Sequence, residues 1–386
     1  MFRRSSAGAL LLASAALLTA AAPESARAGV VNPDISVLGQ PFMRWTDDPS
    51  DASPKRATFN QGEVEMVFDA YLNPYAKGLF ITSLSEGGLE LEEGYFTLVR
   101  GLPAGLQLKG GKYRVGFGKL NPMHPHAVPF AERPRVLATY LPGDESLDEV
   151  GLSLSGRIPT PGTFSLTAAA DWLQGDTYRI PREGAFAAND PLVLDPASED
   201  RAAEARPAFV GNLSGFGQIG ERSGYELALS ATGGTNNVAA NTRTKVYDAA
   251  GKLKLWTASN SYLLIQGELL KLDREDAGWD STATAYTRTR VRPMGGYAYA
   301  DYNFSPRFDA GMLYERFQQP ADLSVHDSAV GAFIGYSLME ETTSFRLDWN
   351  HFMPGTPTGG PSSLPAVNTL TLRAIFSMGP HKAHQF

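Results

Sequence analysis

Apolar and polar side chains alternate along much of this chain, and the clearest example lies near its C-terminal end. Phe345, Leu347 and Trp349 share one parity, whereas Arg346 and Asp348 share the other. Successive side chains of a β-strand point to opposite faces. The pattern therefore predicts a strand with one aromatic, apolar face and one charged face.

The same alternation recurs after residue 29 in segments of about ten residues, which is the length of a tilted transmembrane strand. Sixteen strands are predicted, and they leave no sequence for the helices of a large α/β protein. The predicted bounds are 34–46, 61–72, 76–84, 89–100, 105–117, 149–158, 163–174, 207–217, 222–233, 243–257, 260–272, 290–304, 307–318, 328–338, 342–352 and 367–377.

The connections between these strands alternate between short and long. Seven are short, as at 73–75 and 160–162, and eight are longer, with the longest at 118–148 and 175–206. Any single segment would also fit a half-buried strand of a soluble sandwich. Short turns at one end, long loops at the other and an even strand number are typical of outer-membrane barrels. The sequence therefore predicts an all-β fold, a transmembrane antiparallel up-and-down β-barrel of about 16 strands.

The N-terminal end predicts export from the cytoplasm. Two arginines precede an apolar run at 7–22, and residues 26–28 read Ala-Arg-Ala, as at a cleavage site. These features indicate a signal peptide at 1–28 and a barrel domain at 29–386. A membrane anchor is the alternative, but the run is shorter than the roughly 20 residues that a spanning helix needs. We expect the mature protein in the outer membrane of a Gram-negative cell.

Composition narrows the function classes. The chain has no cysteine, which excludes thiolate metal sites and a cysteine nucleophile. Its formal net charge of −7 becomes −9 without residues 1–28, which hold three arginines and one glutamate. Such an acidic chain is a poor match for nucleic acid. The expected partners are outer-membrane lipid and small hydrophilic solutes or ions, and a homotrimer is compatible with the size of the chain.

The architecture resembles that of the general bacterial porins and of the sixteen-stranded substrate-selective porins. Closer similarity lies in short stretches, namely NPDISV at 32–37, the run from GYFT at 94–97 to GKLN at 118–121, MHPH at 123–126 and GPHKAHQF at 379–386. These stretches resemble a little-characterised group of proteobacterial outer-membrane proteins, some of which carry names that invoke zinc-regulated receptors. The resemblance implies a porin-like barrel. The receptor name does not transfer, because energy-coupled receptors have about 22 strands and a plug.

One predicted strand breaks its own alternation at Gly110-Gly111. A β-bulge at this glycine pair would restore the two faces. Lys109, Lys112 and Arg114 would then all face the lumen.

The loop at 119–148 is long enough to have a function of its own. We expect it to fold inward and narrow the channel, with basic and acidic residues facing each other across the opening, where charge sets ion selectivity. A surface loop with solvated charges is the alternative. The predicted pore-lining and constriction residues are Lys109, Lys112, Arg114, Lys119, Glu90, Glu92, Glu132, Asp144 and Glu145.

Two histidine pairs are candidates for metal binding. His124 and His126 lie in the long loop, and His381 and His384 lie near the C-terminus. Imidazole is a ligand for zinc, copper or nickel, so His124 and His126 are the candidate metal residues and zinc the candidate ion. No other cofactor is expected. The competing interpretation is structural, with both histidines hydrogen-bonding the loop to the barrel wall.

Catalysis is not expected from this sequence. A nucleophile and a base are suggested only by His351 with Ser344 and by His326 with Ser324 and Asp327. No G-x-S-x-G motif is present. The predicted function is passive diffusion of small hydrophilic solutes or ions through the barrel. The alternatives are a metal-linked uptake or binding protein and a plugged structural barrel that scaffolds an envelope partner.

Overall fold

A computed structural model shows a closed barrel in which neighbouring strands pair antiparallel around the whole circumference. It describes residues 32–143, 146–179, 206–238, 240–280, 282–283, 285–339, 342–357 and 364–379. The last strand, β19, pairs with both β1 and β2 and so closes the sheet. The strands are β1 Asp34–Gly39, β2 Phe42–Thr46, β3 Ala57–Asn60, β4 Val64–Asn73, β5 Ala76–Ser85, β6 Gly88–Leu98, β7 Gln107–Arg114, β8 Asp148–Ile158, β9 Ser165–Leu173, β10 Ala208–Ile219, β11 Ser223–Asn237, β12 Thr242–Ala258, β13 Ser261–Asp280, β14 Ala285–Val291, β15 Met294–Ser305, β16 Phe308–Gln319, β17 Asp322–Met339, β18 Thr343–Met353 and β19 Val367–Met378.

The predicted sixteen-stranded antiparallel barrel is confirmed. The nineteen strand segments form sixteen strands, because three of these strands are each interrupted by a short break. β1 and β2 are separated at Gln40-Pro41, β3 and β4 at 61–63, and β14 and β15 at 292–293. Gly62 has φ +65°, and a Cβ at this position would lie 1.9 Å from the carbonyl oxygen of Gln40. The first two strands therefore approach each other closely at their breaks.

The two faces of the strands follow the predicted parity. On β18, Leu347 and Trp349 are exposed on the outside, whereas Asp348 and Asn350 are buried on the inside. The same holds on β11, where Leu229 is 61% exposed. An apolar exterior around a polar interior is the arrangement of a barrel that faces lipid.

Residues 115–147, here called the inward segment, leave the end of β7, cross the lumen and return at the start of β8. The segment contains a 3₁₀ turn, Pro125–Ala127, and a short helix α1, Arg135–Tyr140. Asn121 clamps its base, because the side-chain amide donates to the carbonyl oxygens of Val115 (2.8 Å) and Leu147 (3.0 Å) and accepts the N–H of Leu147 (2.8 Å). The prediction of an inward loop at 119–148 therefore agrees with the path of the chain.

The inward segment packs against one side of the lumen with apolar side chains. The ring of Phe130 lies edge-on to Tyr299, with ring centroids 5.2 Å apart, and 6.2 Å from the ring of Phe333. Tyr140 of α1 contacts Phe317 and bonds with its hydroxyl to the backbone of Gln318 on β16. These residues belong to an apolar cluster inside the barrel.

Among the residues that the structure describes, no helix is long and apolar enough to cross a membrane. Several predictions fall outside the described residues, namely the signal peptide at 1–28, the loop acids Asp144 and Glu145, and the histidines His381 and His384.

Candidate functional site in the barrel lumen

The β-bulge in this region lies in β6 rather than in β7. Ile81 pairs with Glu93 while Thr82 pairs with Leu91, so Glu92 is the extra residue on β6. Adjacent residues of a regular strand point to opposite faces, and a bulge re-aims one of them. Glu92 and Glu93 are consequently both buried inside the barrel.

The predicted bulge at Gly110-Gly111 is wrong, because β7 pairs in continuous register with β6 and with β8. Without a bulge, Lys109 and Lys112 lie on opposite faces of β7. Lys112 pairs in register with Val150, which is exposed on the outer face. The expectation that all three cations of this strand face the lumen is therefore incorrect for Lys112.

The three cations of β7 have different surroundings. The ammonium of Lys109 lies inside the barrel, 4.4 Å from the ring centre of Tyr95. Lys112 donates to the carbonyl oxygen of Leu91 and lies 3.3 Å from Asp148. Arg114, at the strand end, reaches inward and donates to Glu92 at 2.9 Å. Lys109 therefore lies inside the barrel, and Arg114 contacts a lumen carboxylate although it shares the strand parity of Lys112.

The remaining predicted residues lie apart from one another. The side chain of Glu90 is exposed at the end of β6, 3.7 Å from the ammonium of Lys112. Lys119 forms an ion pair with Glu226 of β11. Glu132 pairs with Arg135 at 2.9 Å. The basic residues of β7 thus pair mainly with acidic residues of the wall, and whether this set governs ion passage stays a prediction.

The structure brings His124 to three wall carboxylates. Its Nε2–H donates to Oε1 of Glu93 at 2.8 Å, while its Nδ1 lies 3.3 Å from Oε1 of Glu65 and 3.3 Å from Oε2 of Glu92. His126 stacks on His124 and contacts the same Glu65 oxygen at 3.2 Å through its own Nδ1. The two histidines therefore hold the inward segment to β4 and β6.

The charge state of His124 follows from these neighbours. Burial would lower the pKa of His124, but contacts with Glu65, Glu92 and Glu93 outweigh burial and raise the pKa to about 11. The three carboxylates therefore favour the protonated form of this imidazole.

A second anchor lies on β19. The guanidinium of Arg373 is buried and donates to the carbonyl oxygens of Pro125, Val128 and Phe130 in the inward segment, at 2.9–3.3 Å. Asp348 of β18 accepts the N–H of Ala131 at 2.8 Å. Together these bonds fix the middle of the inward segment against the wall.

A cavity of about 240 Å³ lies between the inward segment and the wall formed by β1, β2 and β19. Side chains of both charge signs line it. Arg44 and Arg373 come from the wall, Glu63 comes from the break before β4, and Glu132 comes from the inward segment. Four charged side chains therefore reach this space, unlike the apolar packing around Phe130 and Tyr140.

The structure does not assemble the histidine–serine pairs suggested by the sequence. Ser344 and His351 lie seven residues apart on the same strand, which separates them by roughly 23 Å at the usual rise per residue. The ring of His326 contacts the carbonyl oxygen of Ser324, while the hydroxyl of Ser324 donates to Asp322.

Sequence reasoning missed Glu65 as a partner of the loop histidines, and it missed Glu93 and Arg373 as site residues. Adjacent acids at Glu92-Glu93 are the available signal, because two charges in succession do not fit a regular strand with one apolar face. Alternation along β19 places Arg373 on the polar, lumen-facing side of the strand. It does not indicate which carbonyl oxygens Arg373 binds.

No protein-family model matches the chain. An uncharacterised protein of Aquifex aeolicus (strain VF5) is 32% identical over 264 residues, which cover 66% of this chain and 54% of that protein. The chain therefore spans about half the length of that relative.

Several solved structures share the fold at low sequence identity. The outer membrane channel DcaP of Acinetobacter baumannii matches with a TM-score of 0.58 at 10% identity, over 90% of this chain and 97% of that one. The anion-selective porin from Comamonas acidovorans matches with 0.56 at 9% identity, over 90% and 100%. OmpT of Vibrio cholerae in its trimer form matches with 0.51 at 12% identity, over 91% and 100%. These similarities establish a porin-like fold.

Proposed function

We propose that this protein is an outer-membrane channel through which small hydrophilic solutes or ions diffuse passively. The inward segment narrows the barrel, and the remaining space on the side of β1, β2 and β19, which charged side chains line, forms the path. No covalent step is involved. Selectivity then depends on the width of this space and on the charges that line it.

The observation that carries the proposal is the one-sided placement of the inward segment. Apolar contacts of Phe130 and Tyr140 fill the lumen near β15, β16 and β17. A cavity of about 240 Å³ remains beside β2 and β19. Charged side chains favour water in such a cavity, because burying them dry and unpaired is costly. A barrel closed by its own segment would be packed on both sides.

The exterior supports a location in the outer membrane. Large apolar side chains such as Leu229, Leu269 and Met312 are exposed on the outward faces of the strands. This exposure would favour aggregation in water, but it matches the lipid-facing band of a membrane barrel. The porin-like fold supports a channel rather than an enzyme. A homotrimer, as named for OmpT of Vibrio cholerae, remains part of the proposal and is tested by the mass of the purified barrel.

The charges leave the preferred ion open to measurement. Arg44 and Arg373 favour anions in the cavity, whereas Glu63 and Glu132 favour cations. The guanidinium of Arg373 already donates to three carbonyl oxygens of the inward segment. Arg44 is paired with Asp51 at 2.6 Å. Glu132 is likewise paired, with Arg135 at 2.9 Å. We therefore expect weak selectivity, and Glu132 is the charge of the inward segment whose removal tests it.

The test is single-channel conductance of the folded protein in planar bilayers, followed by the reversal potential in a salt gradient. The proposal predicts a steady open conductance and a small reversal potential. Folded protein is identified by β-rich circular dichroism and by a cooperative thermal transition. A barrel that passes these checks but never conducts would contradict the proposal and would favour the plugged structural barrel.

A further inference from the structure

We infer that Glu65, Glu92 and His124 form a binding site for a divalent transition-metal ion of the zinc type, which fastens the inward segment to the barrel wall. One potential ligand atom from each of the three side chains lies within 4.8 Å of the other two. The inference is based on the positions of these three side chains in the lumen. It does not depend on whether the barrel conducts.

The two distances from the His124 nitrogen match the spacing of ligands around a tetrahedral ion. Nδ1 of His124 is 3.3 Å from the Glu65 oxygen and 3.3 Å from the Glu92 oxygen. Zinc bonds of about 2.0–2.1 Å at tetrahedral angles hold neighbouring ligand atoms about 3.3–3.4 Å apart. His126, with its Nδ1 3.2 Å from Oε1 of Glu65, brings a second imidazole to the same oxygen. An ion can therefore enter with little movement of the side chains.

The orientation of His124 is the one that a metal ligand requires. Nε2–H donates to Glu93, so the other ring nitrogen points at Glu65 and Glu92. The N–H of Arg114 donates to the second oxygen of Glu93 at 3.1 Å and fixes that carboxylate in turn. A carboxylate behind a ligating imidazole sets its tautomer and its direction, as in many zinc sites.

Two buried atoms of the site lack hydrogen bonds. Nδ1 of His124 and Oε2 of Glu65 have no hydrogen-bond partner, and the side chain of Glu65 is only 1% exposed. An unsatisfied buried carboxylate oxygen is costly. A metal ion bound between Glu65 and His124 uses the histidine nitrogen directly and neutralises the carboxylate.

The charge balance also favours a dication. Glu65, Glu92 and Glu93 carry three negative charges, and Arg114 supplies one positive charge at 2.9 Å from Glu92. Two negative charges remain, and one divalent ion balances them. Imidazole ligands favour zinc-type ions over magnesium and calcium, which prefer sites made of oxygen alone.

The experiment uses the full chain, folded in detergent and stripped with a chelator. Zn²⁺ is titrated by calorimetry near pH 8, and Co²⁺ serves as the spectroscopic probe. We expect one ion per chain, a higher melting temperature with Zn²⁺, no such rise with Mg²⁺ or Ca²⁺, and the visible absorption of four-coordinate Co²⁺.

Variants separate the site from adventitious binding. Glu65→Gln and His124→Gln each remove a ligand, and we expect both to abolish stoichiometric binding. Glu93→Gln removes only the carboxylate behind His124, so its affinity should fall about 10- to 100-fold while binding persists. His351→Asn is the matched control, because His351 lies on β18 and pairs with Asn368 of β19, away from the proposed site. This variant should bind Zn²⁺ as the wild type does.

The inference is overturned if the folded wild type takes up no Zn²⁺, or if Glu65→Gln and His124→Gln bind it as tightly as His351→Asn. Glu93→Gln keeps all three ligands, so a folded Glu93→Gln protein tests the site even if Glu65→Gln or His124→Gln fails to fold. A folded Glu93→Gln protein with unchanged affinity would likewise contradict the assigned arrangement. A conductance measurement plays no part, so failure here leaves the channel proposal intact.

Discussion

Two parts of the inward segment are held by opposite kinds of contact. Around Phe130 and α1, aromatic rings of the segment pack on Tyr299, Phe333 and Phe317 of the wall. Around His124, the contacts are ion pairs and hydrogen bonds to acids of β4 and β6. The part around Phe130 and α1 is therefore fixed by apolar burial, and the part around His124 by charge.

The difference explains how a barrel can be narrowed without being filled. Apolar packing excludes water and so closes its side of the lumen. Charged anchors retain polar surroundings, and the cavity between Arg44, Glu63 and Glu132 lies on their side. Arg373 of β19 lies between the charged and the apolar contacts, because its guanidinium donates to the carbonyl oxygens of Val128 and Phe130.

The largest expected effect is on the apolar contacts around Phe130. The side chain of Phe130 is only 4% exposed. Phe130→Ala should lower the free energy of unfolding by about 3–5 kcal/mol, because it removes the contacts with Tyr299 and Phe333 and leaves a cavity. Urea unfolding from lipid vesicles measures this. Phe59→Ala is the matched control, because Phe59 is 85% exposed. Similar losses in both variants would contradict the apolar anchor.

The entry of the inward segment is the next most sensitive point. Gly118 has φ +59°, and a Cβ there would lie 2.2 Å from Oε2 of Glu268. Gly118→Ala therefore combines a strained backbone with a collision, and strain of this kind costs on the order of 1–3 kcal/mol. We expect a lower melting temperature and faster proteolysis of the inward segment. Gly220→Ala, also at positive φ but with open space around it, should cost less; equal losses would mean that the Glu268 contact is unimportant.

Charge in the cavity should have a modest effect on ion preference. Glu132→Gln removes a negative charge from the cavity lining, so the reversal potential should shift toward anions without loss of the fold. Glu221→Gln makes the same change in an exposed turn, and it should leave the potential unaltered. An equal shift in both variants would place the path away from the cavity.

The smallest expected effect lies outside the lumen, at Asp47. Donors from the side chain and then the backbone of Asn368 lower the pKa of Asp47. A lowered carboxylate pKa gives stability that is present above the ordinary value of about 3.9 and is lost as pH falls through the folded-state pKa. Asp47→Asn should lack this acid-dependent component, which melting curves between neutral and acidic pH would reveal. A variant as acid-sensitive as the wild type would contradict this assignment.

The sequence predicted those features that depend on local periodicity. Parity assigned Trp349 to the exterior and Asp348 to the lumen because strand geometry alternates regardless of partners. Loop length indicated that 119–148 has a function. The strand number followed from the same two signals.

The sequence could not predict features that depend on pairing between distant strands. The bulge at Glu92 is set by the register of β5 against β6, whereas Gly110-Gly111 pairs without interruption. The contact of His124 with Glu65 depends on how far the inward segment crosses the lumen. Periodicity carries no information about that distance, so the carboxylate cluster was missed although both histidines were identified.

The most direct test of the central claim uses the absence of cysteine from the chain. Glu132→Cys places one thiol in the cavity, and a water-soluble thiol reagent is added during single-channel recording. We predict an open conductance that falls when the reagent reacts, whereas Ser50→Cys, in an exposed loop, reacts without a change in current. A conductance that persists at full size after modification of Glu132→Cys would contradict the account, because the current would then bypass the space beside the inward segment.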